Sequence, residues 1–413
     1  MKSEIITIGD EILIGQITDT NSAWIAWRLN EAGVTVTRKV SVGDRREEIR
    51  QTVEDALDAV DIVVVTGGLG PTRDDITKEV LVEIFGGGMV RDAGTFERNR
   101  QILSARGIDY NELNRSQADV PERATVLPNL HGTAPGLWFE RDGRILVALP
   151  GVPFEMKELV DNEVLPRLSE RFALNSVTHC TAITFGLAES VLAAKIAAWE
   201  DRLPHYLRLA YLPSTMMIRL RLSSYEEDRT RAQRDIETAF KELEGLIPEN
   251  FVGYGEATLF TETARMLTER GETLGVAESC TGGAMSSCYT SLAGASRYFK
   301  GSVTAYTNEV KMNVLGVSGE TLRRYGAVSE QTAREMAEGV RRVLGTEYGL
   351  STTGYAGPEG GDDSNPVGTV YVGLSTPAGT EVRRYEFGRL RAQNIERGTA
   401  QAVNMLRLKL KGL

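Results

Sequence analysis

A short segment in the last third of the chain combines a hydroxyl, a thiol and paired glycines. Leu274-Gly-Val-Ala-Glu-Ser-Cys-Thr-Gly-Gly283 begins as an apolar run and leads into the helix-forming residues 284–289. This pattern predicts a buried strand, a tight turn and the start of a helix. Such a turn exposes a side chain beside backbone N–H groups, so Ser279 could act as a nucleophile next to an oxyanion site. A helix N-cap is the alternative interpretation.

A serine nucleophile needs a base, and the composition limits the choice. No histidine follows His205, so a Ser-His-Asp triad within the last third of the chain is excluded. Lys311 and Tyr306 are the remaining candidates, as in Ser-Lys hydrolases. Lysine acts as a base only where burial or a neighbouring cation lowers its pKa, and an ordinary surface lysine is the alternative. Cys280 is a rival nucleophile, helped only by the helix N-terminus.

A second group of chemically capable residues lies in the first third of the chain. The apolar residues 61–65 run into Thr66-Gly-Gly-Leu-Gly-Pro-Thr72, followed by two aspartates. Glycine-rich backbone between a strand and a helix is a place where phosphates dock, although a simple tight turn is the alternative. Carboxylates beside such a loop suit a divalent cation that bridges to a phosphate oxygen. The candidate cation ligands are Asp10, Glu11, Asp74, Asp75 and Glu155.

The elements that position these residues alternate between strands and helices. Residues 5–8, 34–42 and 61–65 predict strands with helices between them, and residues 274–278 and 348–353 predict strands in the last third. This order predicts α/β layers. The middle of the chain has the order β-α-β-β-α of a small α/β sandwich. It contains no GXXG loop, the feature that clamps a nucleic-acid backbone, so a spacer or dimerisation role is favoured there.

The composition excludes several classes of protein. The 413 residues suffice for two or three domains, and 41% hydrophobic with 25% charged residues is typical of a soluble globular protein. The net charge of −10 argues against direct binding of nucleic acid. Three cysteines and three histidines make a zinc site or a disulfide framework unfavourable. The sequence has neither a signal peptide nor a membrane span, which predicts a cytoplasmic protein without membrane contact.

Several motifs resemble those of the competence/damage-inducible CinA family. The N-terminal motifs are Gly9-Asp-Glu-Ile-Leu13, Asp19-Thr-Asn21, the 66–72 loop with Asp74-Asp75, and Leu149-Pro-Gly-Val-Pro153. The C-terminal motifs are Ala277-Glu-Ser-Cys-Thr-Gly-Gly283, Tyr306-Thr-Asn-Glu309 with Lys311, Gly326-Ala-Val-Ser329, Ala356-Gly-Pro358 with Gly360-Gly361, and Pro366-Val-Gly-Thr-Val370. They occur in the family's order, and together they cover about two-thirds of the chain.

The resemblance implies three α/β domains. These are a molybdopterin-binding-like domain at residues 1–168, a small KH-like domain at 169–252 and a nicotinamide mononucleotide deamidase domain at 253–413. The two outer domains are expected to be three-layer α/β/α sandwiches. The resemblance further implies a homodimer that acts on small nucleotides, nicotinamide mononucleotide and ADP-ribose.

In the C-terminal domain the resemblance implies that nicotinamide mononucleotide is hydrolysed to nicotinate mononucleotide and ammonia without a cofactor. Ser279 would attack the amide, and Lys311 assisted by Tyr306 would move the proton. Backbone N–H groups of residues 281–283 would hold the oxyanion, and Arg391 would bind the phosphate. The expected substrate-binding residues are Glu278, Thr281, Gly282, Gly283, Asn308, Thr353, Gly354, Ala356, Gly357 and Arg391.

In the N-terminal domain the resemblance implies cleavage of ADP-ribose to AMP and ribose 5-phosphate. It implies a divalent cation, Mg²⁺ or Co²⁺, with K⁺ as a further candidate. The expected substrate-binding residues are Asn21, Gly67, Gly68, Gly70, Thr72 and Asn114.

Two positions depart from the family pattern: Tyr355 replaces a smaller residue, and the Phe387–Arg391 segment leaves Arg389 as a competitor of Arg391. Two alternative functions stay open. One is a deamidase with a vestigial N-terminal ligand-binding domain, and the other is a non-catalytic partner protein in competence or DNA repair.

Overall fold

A computed structural model describes residues 1–72, 74–108, 111–172, 177–226 and 228–413, leaving out the side chains of residues 112 and 113. The chain forms two compact units. The first consists of Met1–His179 and Ser223–Gln233, and the second of Cys180–Leu222 and Arg234–Leu413.

The first unit contains a six-stranded mixed sheet in the order β2-β1-β3-β8-β7-β6 and a two-stranded sheet of β4 and β5. The strands β2, β1, β3 and β8 pair in parallel, so their carboxyl ends meet at one edge of the sheet. The strands are β1 Lys2–Ile8, β2 Thr35–Val42, β3 Ile62–Thr66, β4 Met89–Arg91, β5 Asp119–Pro121, β6 Thr125–Leu127, β7 Gly136–Arg141 and β8 Arg144–Leu149.

Helices cover both faces of the six-stranded sheet, because alternate residues of its buried strands point to opposite sides. Val63 and Val65 pack in a cluster with Ile49 and Val53, whereas Val64 packs in another with helical residues such as Ile25. The helices are α1 Asp10–Leu13, α2 Thr20–Glu31, α3 Arg46–Ala59, α4 Thr77–Phe85, α5 Ala93–Ala105, α6 Glu112–Ser116, α7 Pro153–Leu159 and α8 Leu165–Arg171, with a π-helical turn at Val160–Val164.

The middle of the chain forms a four-stranded sheet in the order β10-β11-β9-β12. The sequence predicted three of these strands but not β12, which pairs antiparallel with β9. The elements are β9 Thr178–Phe185, α9 Glu189–Glu200, β10 Leu207–Pro213, β11 Met217–Ser224, α10 Arg229–Leu246 and β12 Phe251–Tyr254.

The second unit ends in a five-stranded sheet in the order β14-β13-β15-β16-β17, in which β14, β13 and β15 are parallel. The strands are β13 Leu274–Glu278, β14 Phe299–Thr304, β15 Tyr348–Gly354, β16 Thr369–Thr376 and β17 Gly379–Glu386. The helices are α11 Leu259–Arg270, α12 Ala284–Thr290, α13 Asn308–Asn313, α14 Gly319–Tyr325, α15 Glu330–Leu344 and α16 Arg391–Lys411, with a 3₁₀ turn at Ala295–Arg297.

This C-terminal sheet is also covered on both faces. Val276 of β13 packs with α11, α12 and α16, whereas the next residue, Ala277, packs with Met336 and Val340 of α15. The fully buried Arg407 of α16 connects this helix to β12, because it donates to the carbonyl of Phe251 at 2.6 Å. Burial lowers the pKa of Arg407 to about 10.

The predicted fold class is confirmed: the chain is α/β, with two outer three-layer sandwiches and a small α/β segment between them. The domain boundaries after residues 168 and 252 stay predictions. Within the residues that the structure covers, no helix has the length and apolar character needed to cross a bilayer.

Candidate active site

Ser279 lies in the turn between the fully buried strand β13 and the short helix α12. The turn is tight because two successive glycines adopt positive φ angles, 63° at Gly282 and 105° at Gly283. A side chain other than glycine would be strained at both positions. The turn therefore holds Ser279 at the carboxyl edge of the sheet, as the sequence pattern predicted.

The amine of Lys311 lies next to this serine. Its Nζ is 3.0 Å from Ser279 Oγ and donates to the carbonyl of Ala305 at 2.7 Å. Lys311 is only 1% exposed, and this burial lowers its pKa from the ordinary value. Among the described residues, the group that opposes this shift is the thiol of Cys280 and not a carboxylate. Burial thus shifts the equilibrium toward the neutral amine, the form that can accept the serine proton.

The environment of the rival nucleophile, Cys280, disfavours its reactive thiolate form. Burial raises the pKa of its thiol to about 12, and the hydrogen bond from the backbone N–H of Cys280 offsets this only in part. A thiol with this pKa is protonated near neutral pH and is a poor nucleophile. The geometry and electrostatics of the turn therefore favour Ser279 over Cys280.

Glu278 supports the turn from behind. Its fully buried carboxylate accepts five hydrogen bonds of 2.7–3.2 Å, from the Thr281 hydroxyl, the N–H groups of Gly283, Met285 and Ser286, and the Ser286 hydroxyl. An anion at this place satisfies the free N–H groups of the first turn of α12. Glu278 therefore has the contacts of a helix cap, and the substrate contact expected from the sequence stays a prediction.

This capping also changes the expected oxyanion site. The N–H of Gly283 is bound to Glu278 and that of Gly282 donates to the Ser279 carbonyl at 3.2 Å, so neither is available to a substrate. Among the described residues, the N–H of Thr281 has no backbone acceptor, and that of Cys280 is bound only to the thiol of Cys280 itself. Cys280 also lines the cavity in front of Ser279. Thr281 is therefore the expected donor that stays available, and Cys280, one residue before the expected range, is a further candidate.

A cavity of about 180 Å³ opens in front of Ser279 and Lys311. Its lining includes eight of the residues expected from the sequence, Ser279, Tyr306, Asn308, Lys311, Thr353, Gly354, Ala356 and Arg391. Arg391 donates to the Gly357 carbonyl at 3.0 Å and to the Tyr306 hydroxyl at 3.2 Å. Arg391, and not Arg389, lies at the cavity.

The other expected residues support the cavity without lining it. Thr281 binds Glu278 and Thr352 through its hydroxyl, and Gly357 contributes its carbonyl to Arg391. Tyr355 also lies outside the lining, so its size does not reduce the cavity. Ala327 and Val328 also line the cavity and were not predicted as site residues. Both belong to the Gly326–Ser329 motif, which could have indicated them.

The position of Tyr306 differs from the expectation. Its side chain is 60% exposed, and its hydroxyl contacts Arg391 instead of Lys311 or Ser279. Hydrogen-bond contact with the reacting groups is what a proton relay requires. The arrangement therefore favours a role of Tyr306 in orienting Arg391.

The first unit has a larger cavity, of about 570 Å³, at the carboxyl edge of its parallel strands. The expected residues that line it are Glu11, Asn21, Gly67, Gly68, Gly70, Asp74, Asp75 and Glu155. Asn21 donates to the Gly151 carbonyl at 2.8 Å, while its buried Oδ1 has no partner in the described chain. An unpaired buried acceptor facing a cavity is suited to a ligand donor or a cation.

The carboxylates of this cavity are largely engaged by the protein. Asp75 accepts the N–H of Gly70 at 2.8 Å and that of Thr72 at 2.9 Å, so it closes the glycine-rich loop. Glu155 accepts from Asn129 at 2.7 Å. Thr72, Asn114 and Asp10 do not line the cavity.

Asp44 lines the same cavity, although it was not among the cation ligands predicted from the sequence. It accepts the N–H of Asp10 at 3.0 Å. Its pKa is raised, chiefly by burial and further by the like charges of Asp10, Glu11 and Asp74. Bound positive charge at this edge would relieve that repulsion.

The residues of this cavity fit a cation only in part. In the described part of the chain, no three Asp, Glu, His or Cys side chains converge as a ready metal cage. Mg²⁺ is commonly held by one or two carboxylates, with water and substrate phosphates completing its shell. Asp44, Asp74, Glu11 and the free Oδ1 of Asn21 are oxygen donors of the kind that this arrangement needs.

The fold and the two cavities define a class of multidomain α/β protein with a buried serine–lysine pair in one domain and a glycine-rich loop with carboxylates in another. Comparisons agree with that description. The chain matches the probable molybdopterin binding domain over residues 4–170, the damage-inducible protein CinA KH domain over 181–253 and the CinA C-terminal domain over 256–410.

Similar proteins match the chain over nearly its whole length. A CinA-like protein of Flavobacterium psychrophilum is 42% identical over 412 residues, 98% of each chain, and one of Salinibacter ruber is 42% identical over 413 residues, 99% of this chain and 100% of that one. The chain therefore belongs to the CinA family. The crystal structure of competence damage-inducible protein A from Klebsiella pneumoniae is 36% identical, covers 37% of this chain and 95% of that one, and has a TM-score of 0.36.

Proposed function

We propose that the C-terminal domain hydrolyses the carboxamide of nicotinamide mononucleotide to nicotinate mononucleotide and ammonia. The observation that carries this proposal is the 3.0 Å contact between Ser279 Oγ and the buried amine of Lys311. A serine with a desolvated lysine as its base is a known arrangement for acyl transfer. The choice of this nucleotide as substrate rests on the family resemblance.

The reaction begins when Ser279 Oγ attacks the amide carbon and its proton passes to the neutral Nζ of Lys311. The neutral amine donates one N–H to the Ala305 carbonyl, and its lone pair is the acceptor for the proton of Ser279, whose Oγ is 3.0 Å away. The developing oxyanion is stabilised by the N–H groups of Thr281 and Cys280, neither of which donates to the backbone of another described residue. Lys311 then returns the proton to the leaving nitrogen as the C–N bond breaks, which releases ammonia.

The second half of the reaction uses the same groups. Lys311, neutral again, takes a proton from water, which attacks the ester carbonyl at Ser279. The ester bond breaks, the proton returns to Ser279 Oγ, and the nicotinate product forms. The guanidinium of Arg391 at the cavity rim is the group for the ribose phosphate, since arginine presents two parallel donors to phosphate oxygens.

The test is ammonia release from nicotinamide mononucleotide by purified wild-type, Ser279→Ala, Lys311→Met and Cys280→Ala proteins. Loss of roughly 10⁴-fold or more in the first two variants, with activity retained in Cys280→Ala, is expected for a serine–lysine pair. Activity that survives in Ser279→Ala but not in Cys280→Ala would make this a thiol enzyme. No ammonia release by the folded wild type would reject the deamidase function.

We also propose that the N-terminal domain hydrolyses ADP-ribose to AMP and ribose 5-phosphate with a divalent cation. The support is the cavity of about 570 Å³, whose lining combines the glycine-rich loop, Asn21 with its unpaired Oδ1, and carboxylates that can share a cation with a diphosphate. When bound, such a cation neutralises phosphate charge and activates a nucleophile. The chain's own residues orient the diphosphate on the loop backbone.

The test of this second activity is AMP formation from ADP-ribose, followed in Mg²⁺ and in Co²⁺ and with or without K⁺. Ligand binding without AMP formation would favour the vestigial domain. Absence of both activities, together with co-purification of a recombinase, would favour the competence or repair partner. A homodimer is part of the same proposal and is checked by light scattering.

A further inference from the structure

A second cavity in the C-terminal unit, of about 490 Å³, has no role in the proposed reactions. It shares no lining residue with the cavity at Ser279. Most of its lining is apolar, with Met216, Met217, Leu259, Phe260 and Ile395 contributing to its walls. Sites for small molecules span roughly 300–1,000 Å³ and are mostly apolar with a few polar groups. The size and the lining therefore fit a small-molecule site.

One polar group of this cavity lacks a partner. Thr399 is 5% exposed and lines the cavity, and its Oγ1 makes no hydrogen bond within the part of the chain that the structure covers. A buried hydroxyl without a partner is unfavourable, so nearly all such groups in native proteins are satisfied. A ligand with one hydrogen-bonding group near Thr399 would satisfy it.

The charge of the lining limits the ligand further. Glu396 is the only charged side chain among the described residues that line this cavity. A single carboxylate with no lysine or arginine disfavours phosphates and carboxylates. The ligand is thus chemically unlike the anionic nucleotides that the other two cavities are proposed to take.

The cavity contacts two of the helices around the Ser279 site, α12 and α16. Its lining includes Ala284, the first residue of α12 after the turn that holds Ser279, and Ala392 of α16, the residue after Arg391. On the same helix, Asn394 donates to the carbonyls of Ala356 and Gly388 at 3.0 and 2.8 Å. A ligand between these helices therefore acts on the elements that place Arg391 and the loop at residue 356.

We propose that this cavity binds a small, largely apolar molecule that is uncharged or cationic and carries one hydrogen-bonding group, and that its occupancy alters how Arg391 holds the substrate. The second part rests on the proposed deamidase function, whereas the first does not.

The binding test uses Nile red, a neutral apolar dye with a carbonyl acceptor, and the full-length protein. Wild type is expected to enhance its fluorescence more than that of the anionic dye 1-anilinonaphthalene-8-sulfonate. Ala400→Trp, which fills the cavity, should abolish the enhancement, whereas Ala197→Trp on the exposed face of α9 should not. Thr399→Val should weaken Nile red binding about fivefold through loss of one hydrogen bond.

A measurement without a filling variant guards against misfolding of Ala400→Trp. Cys288 lines the cavity and is exposed, so it can be alkylated in a Cys180→Ser protein. Saturating Nile red should slow this alkylation. Unchanged alkylation, or equal dye binding by Ala400→Trp and Ala197→Trp, would overturn the site. A change of oligomeric mass in Ala400→Trp with unchanged dye binding would also overturn it, because a second copy would then be the occupant.

The regulatory part is tested by ammonia release at increasing nicotinamide mononucleotide concentrations. Saturating Nile red is expected to change KM about fivefold in wild type and Ala197→Trp but not in Ala400→Trp. An unchanged KM while the dye is bound would overturn the coupling. A wild type without deamidase activity would instead reject the proposed function, and the dye measurements would still decide whether the cavity is a binding site.

Discussion

The two candidate sites of this protein differ in how much of each is assembled before a substrate arrives. At the C-terminal site the reacting atoms of Ser279 and Lys311 are already 3.0 Å apart, buried, and next to a cavity of about 180 Å³. At the N-terminal site, a cavity about three times larger is lined by carboxylates that bind their own loop or repel one another. A site for proton transfer can be built from side chains alone, whereas a cavity lined by carboxylates, with no lysine or arginine among its described lining residues, needs a cation before it can hold a diphosphate.

Removal of divalent cations is the sharpest way to separate the two sites. Dialysis against EDTA should lower ADP-ribose cleavage by roughly 10³-fold, because no described set of side chains replaces the charge of the cation. Ammonia release should stay within about twofold, since the serine–lysine pair needs no metal. Both rates are measured on one sample before and after Mg²⁺ or Co²⁺ is restored. If EDTA lowered ammonia release as much as ADP-ribose cleavage, the C-terminal site would also depend on a metal, which contradicts the proposed difference between the two sites.

The preassembly of the C-terminal site is predicted to depend on Glu278. Glu278→Gln should lower the free energy of unfolding of this unit by about 2–4 kcal/mol, because the buried carboxylate that caps α12 becomes a neutral amide with two unsatisfied donors. Urea unfolding measures the loss. Ser286→Ala removes only one of the five donors and should cost about 1 kcal/mol. Equal effects of the two variants would show that the carboxylate charge is not what holds the turn.

The two arginines before and at the start of α16 provide a matched pair. Arg391→Ala should raise KM for nicotinamide mononucleotide about 10–100-fold, which corresponds to the loss of charge-assisted hydrogen bonds to phosphate. Arg389→Ala should leave KM within about twofold, because that side chain does not line the cavity. Steady-state ammonia release gives both values. The reverse order would move the phosphate to the other arginine.

The sequence predicted the serine–lysine pair because both residues follow buried strands whose ends meet. Ser279 follows β13, and Lys311 lies on α13 shortly after the neighbouring parallel strand β14. It could not predict the role of Glu278, since three of its donors are N–H groups that become free only once α12 begins at Ala284. Local pattern thus identifies reacting groups more readily than the groups that hold them.

Strand β12 and the cavity residue Asp44 were not predicted, because neither leaves a local sequence pattern. Strand β12 contains only Phe251–Tyr254, too few residues to show a period, and it becomes recognisable only by its pairing with β9. Asp44 follows a single glycine after β2, without a motif, and reaches the N-terminal cavity through the fold of the sheet. The strands with continuous apolar runs, such as β3, were predicted within one or two residues because burial on both faces leaves a clear pattern.

The pH dependence of ammonia release tests the state of the lysine. Burial lowers the pKa of Lys311 below its ordinary value of 10.5, so kcat/KM should rise about tenfold per pH unit and level off below that value. Between the folded and unfolded pKa values the unfolded chain binds one more proton, so the free energy of unfolding should rise with pH there. Lys311→Met should lose this increase in stability. A pH profile in which kcat/KM levels off only above pH 10.5 would contradict a desolvated base.

The smallest predicted effect concerns Tyr306 and decides between its two roles. Tyr306→Phe removes a hydroxyl that contacts Arg391 at 3.2 Å on an exposed side chain, so KM should rise about two- to fivefold with little change in kcat. A proton relay between Tyr306 and Lys311, as the family resemblance implies, would instead lower kcat by about 10²-fold or more with KM unchanged. Steady-state ammonia release separates the two parameters, and Arg391→Ala combined with Tyr306→Phe supplies the control. If the hydroxyl acts through Arg391, the double variant should match Arg391→Ala, because the contact is already lost.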